Sequence, residues 1–332
     1  MPKSEYKPAQ DRYTNSVGFN RCGKSGLMLP KISLGLWHNF GDIDDQKEAL
    51  NMLKYAFDHG ITHFDLANNY GTPFGSAETN FGKIVKNNFS GYRDEMIISS
   101  KAGHIMWPGP YGDGGSRKYL MASLDQSLKR MQLDYVDIFY SHRYDPNTPL
   151  EETMGALSDI VKQGKAQYVG ISKYPADVAR EAYRILRSNG TPCLINQDRY
   201  NIFTRGIEQD VLPLAAEQGV GVIAFSPLAQ GMLTDKYLHG IPEHSRAAQE
   251  HGFLQKSQLT PEIIAKITRL NEIAGQRGQT LAQMALAWCF HRQEINSVII
   301  GTSSVKQLED NLEAMKSCTF TDEELWLIGE QG

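Results

Sequence analysis

An acid, a phenol, an amine and an imidazole follow one another along the chain as Asp65, Tyr70, Lys101 and His142. A tyrosine hydroxyl ionises near pH ~10, too high for easy proton exchange at neutrality. A lysine ammonium within hydrogen-bond reach of Tyr70 would favour the phenolate and lower that value by roughly 1–3. A buried Lys101 needs a counter-charge, which Asp65 would supply. His142 can hydrogen-bond a substrate oxygen and hold a carbonyl toward Tyr70. Together the four groups suit the delivery of a proton to a carbonyl oxygen while a hydride arrives at carbon. Each also has an ordinary use: Asp65 as a loop cap, Tyr70 packed on Phe74, Lys101 as a solvated charge, His142 as a satisfied loop histidine. Their convergence at the ends of successive strands favours chemistry.

Those ends can be placed from the pattern of the chain. Short β-rich runs occupy Ile32–Leu36, Thr62–Leu66, Met96–Ser100, Tyr135–Tyr140, Gln167–Ile171, Leu194–Gln197, Gly221–Phe225 and Ser297–Ile300. Helical spacing fills the intervals: Asp45–Asp58 before a stop at Gly60, Ser76–Val85, Ser116–Met131, Leu150–Gln163, Ala176–Arg187, Gln209–Gln218, Glu262–Ala274, Leu281–Phe290 and Val305–Met315. Thr321–Glu324 starts a further helix. About eight strand–helix units imply a parallel sheet buried on both faces, and a closed α/β (β/α)8 TIM barrel fits them better than an open sheet. A hairpin, Val17–Cys22 and Leu27–Leu29 around Gly23–Gly26, precedes the barrel, and a long polar loop follows strand seven between Leu228 and Thr260. In such a barrel the chemistry sits at the C-terminal strand ends. A doubly wound dinucleotide fold would need GxGxxG between strand and helix; Gly219-Val220-Gly221 instead leads into a strand.

Composition bounds the class. The chain has 332 residues, 41% hydrophobic and 10% aromatic, enough for one large core, so 1–332 reads as a single barrel domain with 1–16 a loose tail. Lys+Arg 34 against Asp+Glu 38 leaves a net charge of −4, with no basic excess for nucleic acid. Cys22, Cys193, Cys289 and Cys318 lie far apart, which argues against a zinc ribbon and a disulfide scaffold. His59 and His63 do not share a helix face, so no metal site is expected. With no apolar leader and no long apolar run, the expectation is a cytoplasmic protein outside the membrane.

Other motifs are weaker. Gly112–Lys118 combines glycines, a helix start and two cations, and reads either as a phosphate cradle or as a loop with Ser116 as N-cap. It lacks the P-loop pattern, and Gly170–Tyr174 lacks GxSxG. A phosphate-handling isomerase barrel would need a strand-end Glu base paired with His, and none is found.

The four strand-end residues resemble the catalytic tetrad of the aldo-keto reductases, and the resemblance runs from Asn20 to about Met315. It is carried by Phe64-Asp65-Leu66-Ala67-Asn68-Asn69-Tyr70-Gly71, Tyr135–His142, Gly170-Ile171-Ser172, Ser226–Gly231 and Ile300–Ser303. Trp107–Gly112 and Gly115–Tyr119 are shared with the bacterial L-glyceraldehyde 3-phosphate reductases within that family. A more distant similarity is to the potassium-channel β subunits. The resemblance implies catalysis by Asp65, Tyr70, Lys101 and His142 and an NADPH/NADP+ site. Ser172 and Gln197 would hold the nicotinamide carboxamide and Phe225 would stack on the ring; Lys173 replaces the family's usual Asn. Trp37 and Asp65 would border the cofactor. Ser226, Pro227, Leu228, Gln230 and Gly231 would hold the pyrophosphate, Lys236 and Arg246 the phosphates, and Gly301, Ser303, Gln307, Asp310 and Asn311 the adenosine side. Ser303 also reads as the N-cap of the helix beginning at Val305, with N–H groups for a 2′-phosphate.

Two functions are implied. One is NADPH-dependent reduction of a small aldehyde or ketone, with L-glyceraldehyde 3-phosphate and methylglyoxal as candidates. Trp37, Tyr70, Trp107, His142 and Arg143 would line that substrate's site. Arg143 would read a substrate phosphate or else pair with Asp145 or Asp134. The other is an NADPH-binding redox-sensing subunit, against which His142 argues, because the channel subunits carry Asn there. A symmetric tetramer or octamer follows from the same likeness.

Overall fold

A computed structural model describes the protein except residues 1–5, 15, 244 and 249–253; the side chain of Arg246 also lies outside the described residues. The chain opens with an antiparallel hairpin, β1 (Phe19–Arg21) and β2 (Met28–Pro30), with Asn20 opposite Leu29. Eight parallel strands follow: β3 (Ile32–Gly35), β4 (His63–Asp65), β5 (Ile97–Ala102), β6 (Val136–Ser141), β7 (Ala166–Ser172), β8 (Ile195–Arg199), β9 (Gly221–Phe225) and β10 (Ile295–Ile300). They pair in sequence order, and β10 closes on both β9 and β3, so the barrel expected from the strand–helix alternation is formed.

The helices between them are α1 (Gln46–Asp58), α2 (Ser76–Asn88), α3 (Arg117–Met131), α4 (Leu150–Lys162), α5 (Ala176–Ser188), α6 (Val211–Gln218), α7 (Pro261–Gln276), α8 (Leu281–Trp288) and α9 (Val305–Leu312), with α10 (Asp322–Gly329) at the end. Helix α1 illustrates how local sequence sets them. Asp45 accepts the backbone N–H groups of Lys47 and Glu48, its buried residues Ala49, Met52, Leu53, Ala56 and Phe57 form one stripe, and Gly60 ends it at φ +78°. Burying a side chain such as Phe57 is worth about 1.5–3 kcal/mol. Helix α6 starts two residues later than its sequence pattern predicts because Asp210 caps it at Val211. Helix α9 stops at Leu312 and tightens into a 3₁₀ turn over Glu313–Lys316.

Strand alternation divides the side chains between two cores. Ile138, Tyr140, Ile195, Ile223 and Ile299 pack inside the barrel, where Cys22 and Leu29 of the hairpin join them. The larger outer core lies between strands and helices. The N-terminal segment is not loose where it is described. The Tyr6 hydroxyl donates to Asp58 at 2.7 Å, and Arg12 and Tyr13 both reach Glu95. Enough polar and aromatic groups are present between Tyr6 and Tyr13 to tie it down. The long loop after β9 is a series of short turns with a small apolar cluster, Tyr237, Ala247 and Leu254. Among the described residues no helix is long and apolar enough to cross a membrane.

Candidate active site

Asp65 ends β4, Lys101 lies one residue before the end of β5, His142 follows β6, and Tyr70 stands on the loop between β4 and α2. Neighbouring registers bring these ends together: Asp65 sits opposite Ser99, and Lys101 opposite Tyr140. Lys101 Nζ donates to Asp65 Oδ2 at 2.5 Å and to the Leu66 carbonyl at 2.7 Å, with both side chains buried. Asp65 Oδ1 accepts from Ser99 Oγ at 2.7 Å and from Gln197 Nε2 at 3.1 Å. The ammonium lies 5.0 Å from the centre of the Tyr70 ring and 5.8 Å from that of Tyr140. Tyr70 meets the His142 ring edge-on at 6.0 Å and stacks on Trp37 at 6.0 Å.

The electrostatics correct one expectation. Tyr70 does not ionise more readily beside Lys101; burial, followed by the charge of Asp65, pushes the phenol's pKa well above its ordinary value. Burial dominates, and the ammonium does not offset it because Lys101 Nζ donates to Asp65 and Leu66 rather than to the phenol. Burial lowers the Lys101 value, and Asp65 opposes that. His142 is driven well below the ordinary imidazole range by burial and then by Lys101 and Lys173, so its ring is neutral at pH 7. A phenol that holds its proton beside a neutral imidazole suits proton donation to an oxygen that is gaining negative charge.

Among the described residues, several buried polar atoms at this rim have no hydrogen-bond partner: His142 Nδ1, Ser172 Oγ and Asn69 Oδ1. Ser172 ends β7 and Gln197 lies in β8, directly opposite it. Such atoms fit a ligand that brings its own donors and acceptors, as a carboxamide does. Phe225 ends β9 half-buried, with the Arg199 guanidinium 5.8 Å from its ring centre. Beyond it the backbone is strained. Ser226, Ala229 and Gln230 have φ of +54°, +46° and +61°, and Gly231 +97°. Non-glycine residues in this region cost of order 1–3 kcal/mol each and concentrate where a loop wraps a ligand. The turn is held by Asn201 Nδ2 on the Ser226 carbonyl and Gln230 Nε2 on Ser226 Oγ. Pro227 is buried, Leu228 half-buried and Lys236 exposed in a 3₁₀ turn, while the Arg246 side chain lies outside the described residues.

At the β10 end, Gly301 faces open space and Ser303 is exposed. Ser303 is not the cap of α9: Ser304 is, accepting from the Gln307 N–H at 3.2 Å. The Ser303 N–H instead donates to Gln307 Oε1 at 2.8 Å. Asp310 is exposed, and its carbonyl accepts from Gln283; Asn311 is buried, its Nδ2 without a partner among the described residues.

On the substrate side, Trp107 packs against Tyr119 at 5.2 Å between ring centres. Arg143 pairs with neither Asp145 nor Asp134. Its guanidinium grips both carboxylate oxygens of Asp113 at 2.9 and 3.0 Å, and its Nε donates to the Gly103 carbonyl at 2.6 Å. The Gly112–Lys118 segment resolves as a capped loop, because Ser116 caps α3 and Asp145 accepts the Gly115 N–H. Two further groups face His142. His104 lies edge-on to it at 4.6 Å, and Lys173 Nζ sits 3.0 Å from His104 Nε2. Sequence reasoning passed over His104, and considered His63 only as a metal ligand. The period-2 rule was the available signal: His63 is two residues before Asp65 and Ser99 two before Lys101, on the same strand faces.

The Aldo/keto reductase family profile matches residues 31–330. The chain is 53% identical over 326 residues to the L-glyceraldehyde 3-phosphate reductase of Escherichia coli K12, covering 96% of this chain and 93% of that protein. It is 38% identical over 303 residues to a probable voltage-gated potassium channel subunit beta of Arabidopsis thaliana, covering 90% of each.

Proposed function

The chain belongs to the aldo/keto reductase family of oxidoreductases, and we propose that it reduces short aldehydes and ketones to alcohols with NADPH. The observation that carries this reading is the buried Lys101–Asp65 pair beneath the Tyr70 ring, with neutral His142 on the ring's edge. NADPH supplies the hydride when bound.

The residues of the chain divide the remaining work. Ser172 and Gln197 orient the carboxamide, and Phe225 stacks beside it. The Ser226–Gly231 turn takes the pyrophosphate, with Lys236 and Arg246 as cations. Gly301, Ser303, Gln307, Asp310 and Asn311 border the adenosine. Trp37, Trp107 and the Tyr70 ring wall the carbonyl substrate away from water. His142 hydrogen-bonds the carbonyl oxygen and Tyr70 Oη gives it a proton. The carbonyl thereby gains one hydride at carbon and one proton at oxygen, and the phenol recovers its proton from solvent. The raised pKa of Tyr70 supports the acid role, since the phenol keeps its proton at neutral pH.

The likeness to reductases of L-glyceraldehyde 3-phosphate supports that aldehyde, with methylglyoxal, as a candidate substrate. His142 supports catalysis over a purely redox-sensing role. A cytoplasmic setting and a symmetric tetramer or octamer complete the reading, the latter open to light scattering. The direct test follows NADPH and NADH absorbance with a panel of short aldehydes including both candidates. Turnover with NADPH, weaker with NADH, is expected. No turnover of any member, with NADPH bound, would favour the sensing role.

A further inference from the structure

Beneath the rim, a chain of hydrogen bonds crosses the inside of the barrel to Asp65. Ser297 Oγ of β10 donates to the Pro30 carbonyl at 2.7 Å and lies 2.7 Å from Ser33 Oγ of β3. Ser33 Oγ is 2.9 Å from His63 Nδ1, and His63 Nε2 is 3.0 Å from Ser99 Oγ. Ser99 Oγ reaches Asp65 Oδ1 at 2.7 Å. His63, Ser33, Ser99 and Ser297 are fully buried.

Counting protons decides how this chain is wired. An ionised carboxylate only accepts, so the single Ser99 proton goes to Asp65, and Ser99 must accept from His63 Nε2–H. At the far end, the Ser297 proton goes to a carbonyl, so Ser33 would donate to Ser297 and accept from His63 Nδ1–H. Both ring nitrogens then face acceptors. The five links need five protons, whereas three hydroxyls and a neutral imidazole carry four. Protonating the ring would supply the fifth, but burial and the Lys101 charge oppose it, and the His63 value falls to about 4. Among the described residues the charges that act on His63 are Asp65, which favours its proton, and Lys101, which does not. One link must therefore go without a proton. The negative charge of Asp65 determines which one. Donors aligned toward an anion reinforce one another, so the shortfall falls at the distant Ser297 end.

We propose that His63 is a positioning residue, held as the Nε2–H tautomer, which through Ser99 fixes the Asp65 carboxylate and with it the Lys101 ammonium beneath Tyr70. Its kinetic consequence rests on the reductase reading above; its tautomer does not. The imidazole donates to Ser99 and accepts from Ser33, and three donors in series end on Asp65 Oδ1. Asp65 is thereby left with Oδ2 free for Lys101 alone.

The test has two arms. Nitrogen NMR of the full chain labelled at histidine, with His63 assigned by comparison with His63→Gln, should give a protonated Nε2 and an unprotonated Nδ1 at pH 7. An Nδ1–H tautomer or an imidazolium overturns the proposal. In the kinetic arm, Ser99→Ala should lower kcat about tenfold through misplacement of the pair. The KM for NADPH should stay within about twofold, and Ser99→Thr should restore kcat to within about threefold. Ser99→Ala at wild-type kcat overturns the proposal, as does a Ser99→Ala/His63→Gln double variant whose losses simply add, because residues acting through one link are not independent. If His63→Gln does not fold, the Ser99 pair of variants still decides. Wild-type inactivity with the expected tautomer would sink the reductase reading and leave the wiring intact.

Discussion

Below Tyr70 the side chains are buried and their charges are matched; around and above Tyr70 the protein is strained and open. Asp65 and Lys101 face each other at 2% and 0% side-chain exposure, braced by Ser99, Gln197 and the Leu66 carbonyl. At the mouth, Lys173 and Ala229 hold positive φ, and the Arg143–Asp113 pair is 38% and 45% exposed. The floor spends desolvation to hold one geometry, whereas the mouth keeps cations and backbone that can rearrange around a ligand. On the proposed reductase reading the contrast would separate chemistry from selection, with the floor setting the rate of the proton step and the mouth setting what is accepted.

The largest effect should come from unbalancing the floor. Lys101→Met leaves Asp65 buried without its counter-charge, so stability should fall by about 3–5 kcal/mol in denaturant melts, with loss of turnover. A melt like the wild type would show that the floor tolerates an isolated charge. At the mouth, Arg143→Ala tests selection. If the guanidinium leaves Asp113 for a substrate phosphate, kcat/KM for glyceraldehyde 3-phosphate should fall by about 2–4 kcal/mol relative to glyceraldehyde. A uniform loss would mean that Arg143 only holds the Gly103 loop through its 2.6 Å bond.

Backbone substitutions should act in opposite directions in the two regions. Gly170→Ala would bring a Cβ to 2.6 Å from the Tyr140 ring and 2.7 Å from the Ile195 carbonyl, and should destabilise by about 1–3 kcal/mol. Ala229→Gly relieves a left-handed residue in the mouth and should be neutral or stabilising by up to ~1 kcal/mol. Equal losses in thermal melts would erase the contrast. A last effect is in pH. The unfolded chain protonates His63 near its ordinary ~6.5, while the folded barrel resists until about 4. The unfolded state therefore binds the extra proton between those values, and stability falls as pH drops through that window. His63→Gln, where it folds, should flatten this fall.

The barrel was legible because strand runs and helix stripes alternate with clear stops, and because eight such units leave little choice of topology. That Asp65, Tyr70, Lys101 and His142 meet at one rim was legible because strand ends define one face. Three things were not. The direction of the Tyr70 shift depends on where the Lys101 protons point, which spacing does not encode. The cap of α9 falls on Ser304 rather than Ser303 because Gln307 folds back onto the Ser303 N–H. The partner of Arg143 is Asp113, thirty residues away on another loop, and only the folded mouth brings them together.

The central claim is that Tyr70 gives the proton from above a floor that holds its geometry without it. Tyr70→Phe tests this most directly when kcat and NADPH affinity, the latter by fluorescence titration, are measured on the same preparation. The account predicts a ~10²–10⁴-fold fall in kcat with NADPH affinity nearly unchanged. A Tyr70→Phe protein with near wild-type kcat would contradict it.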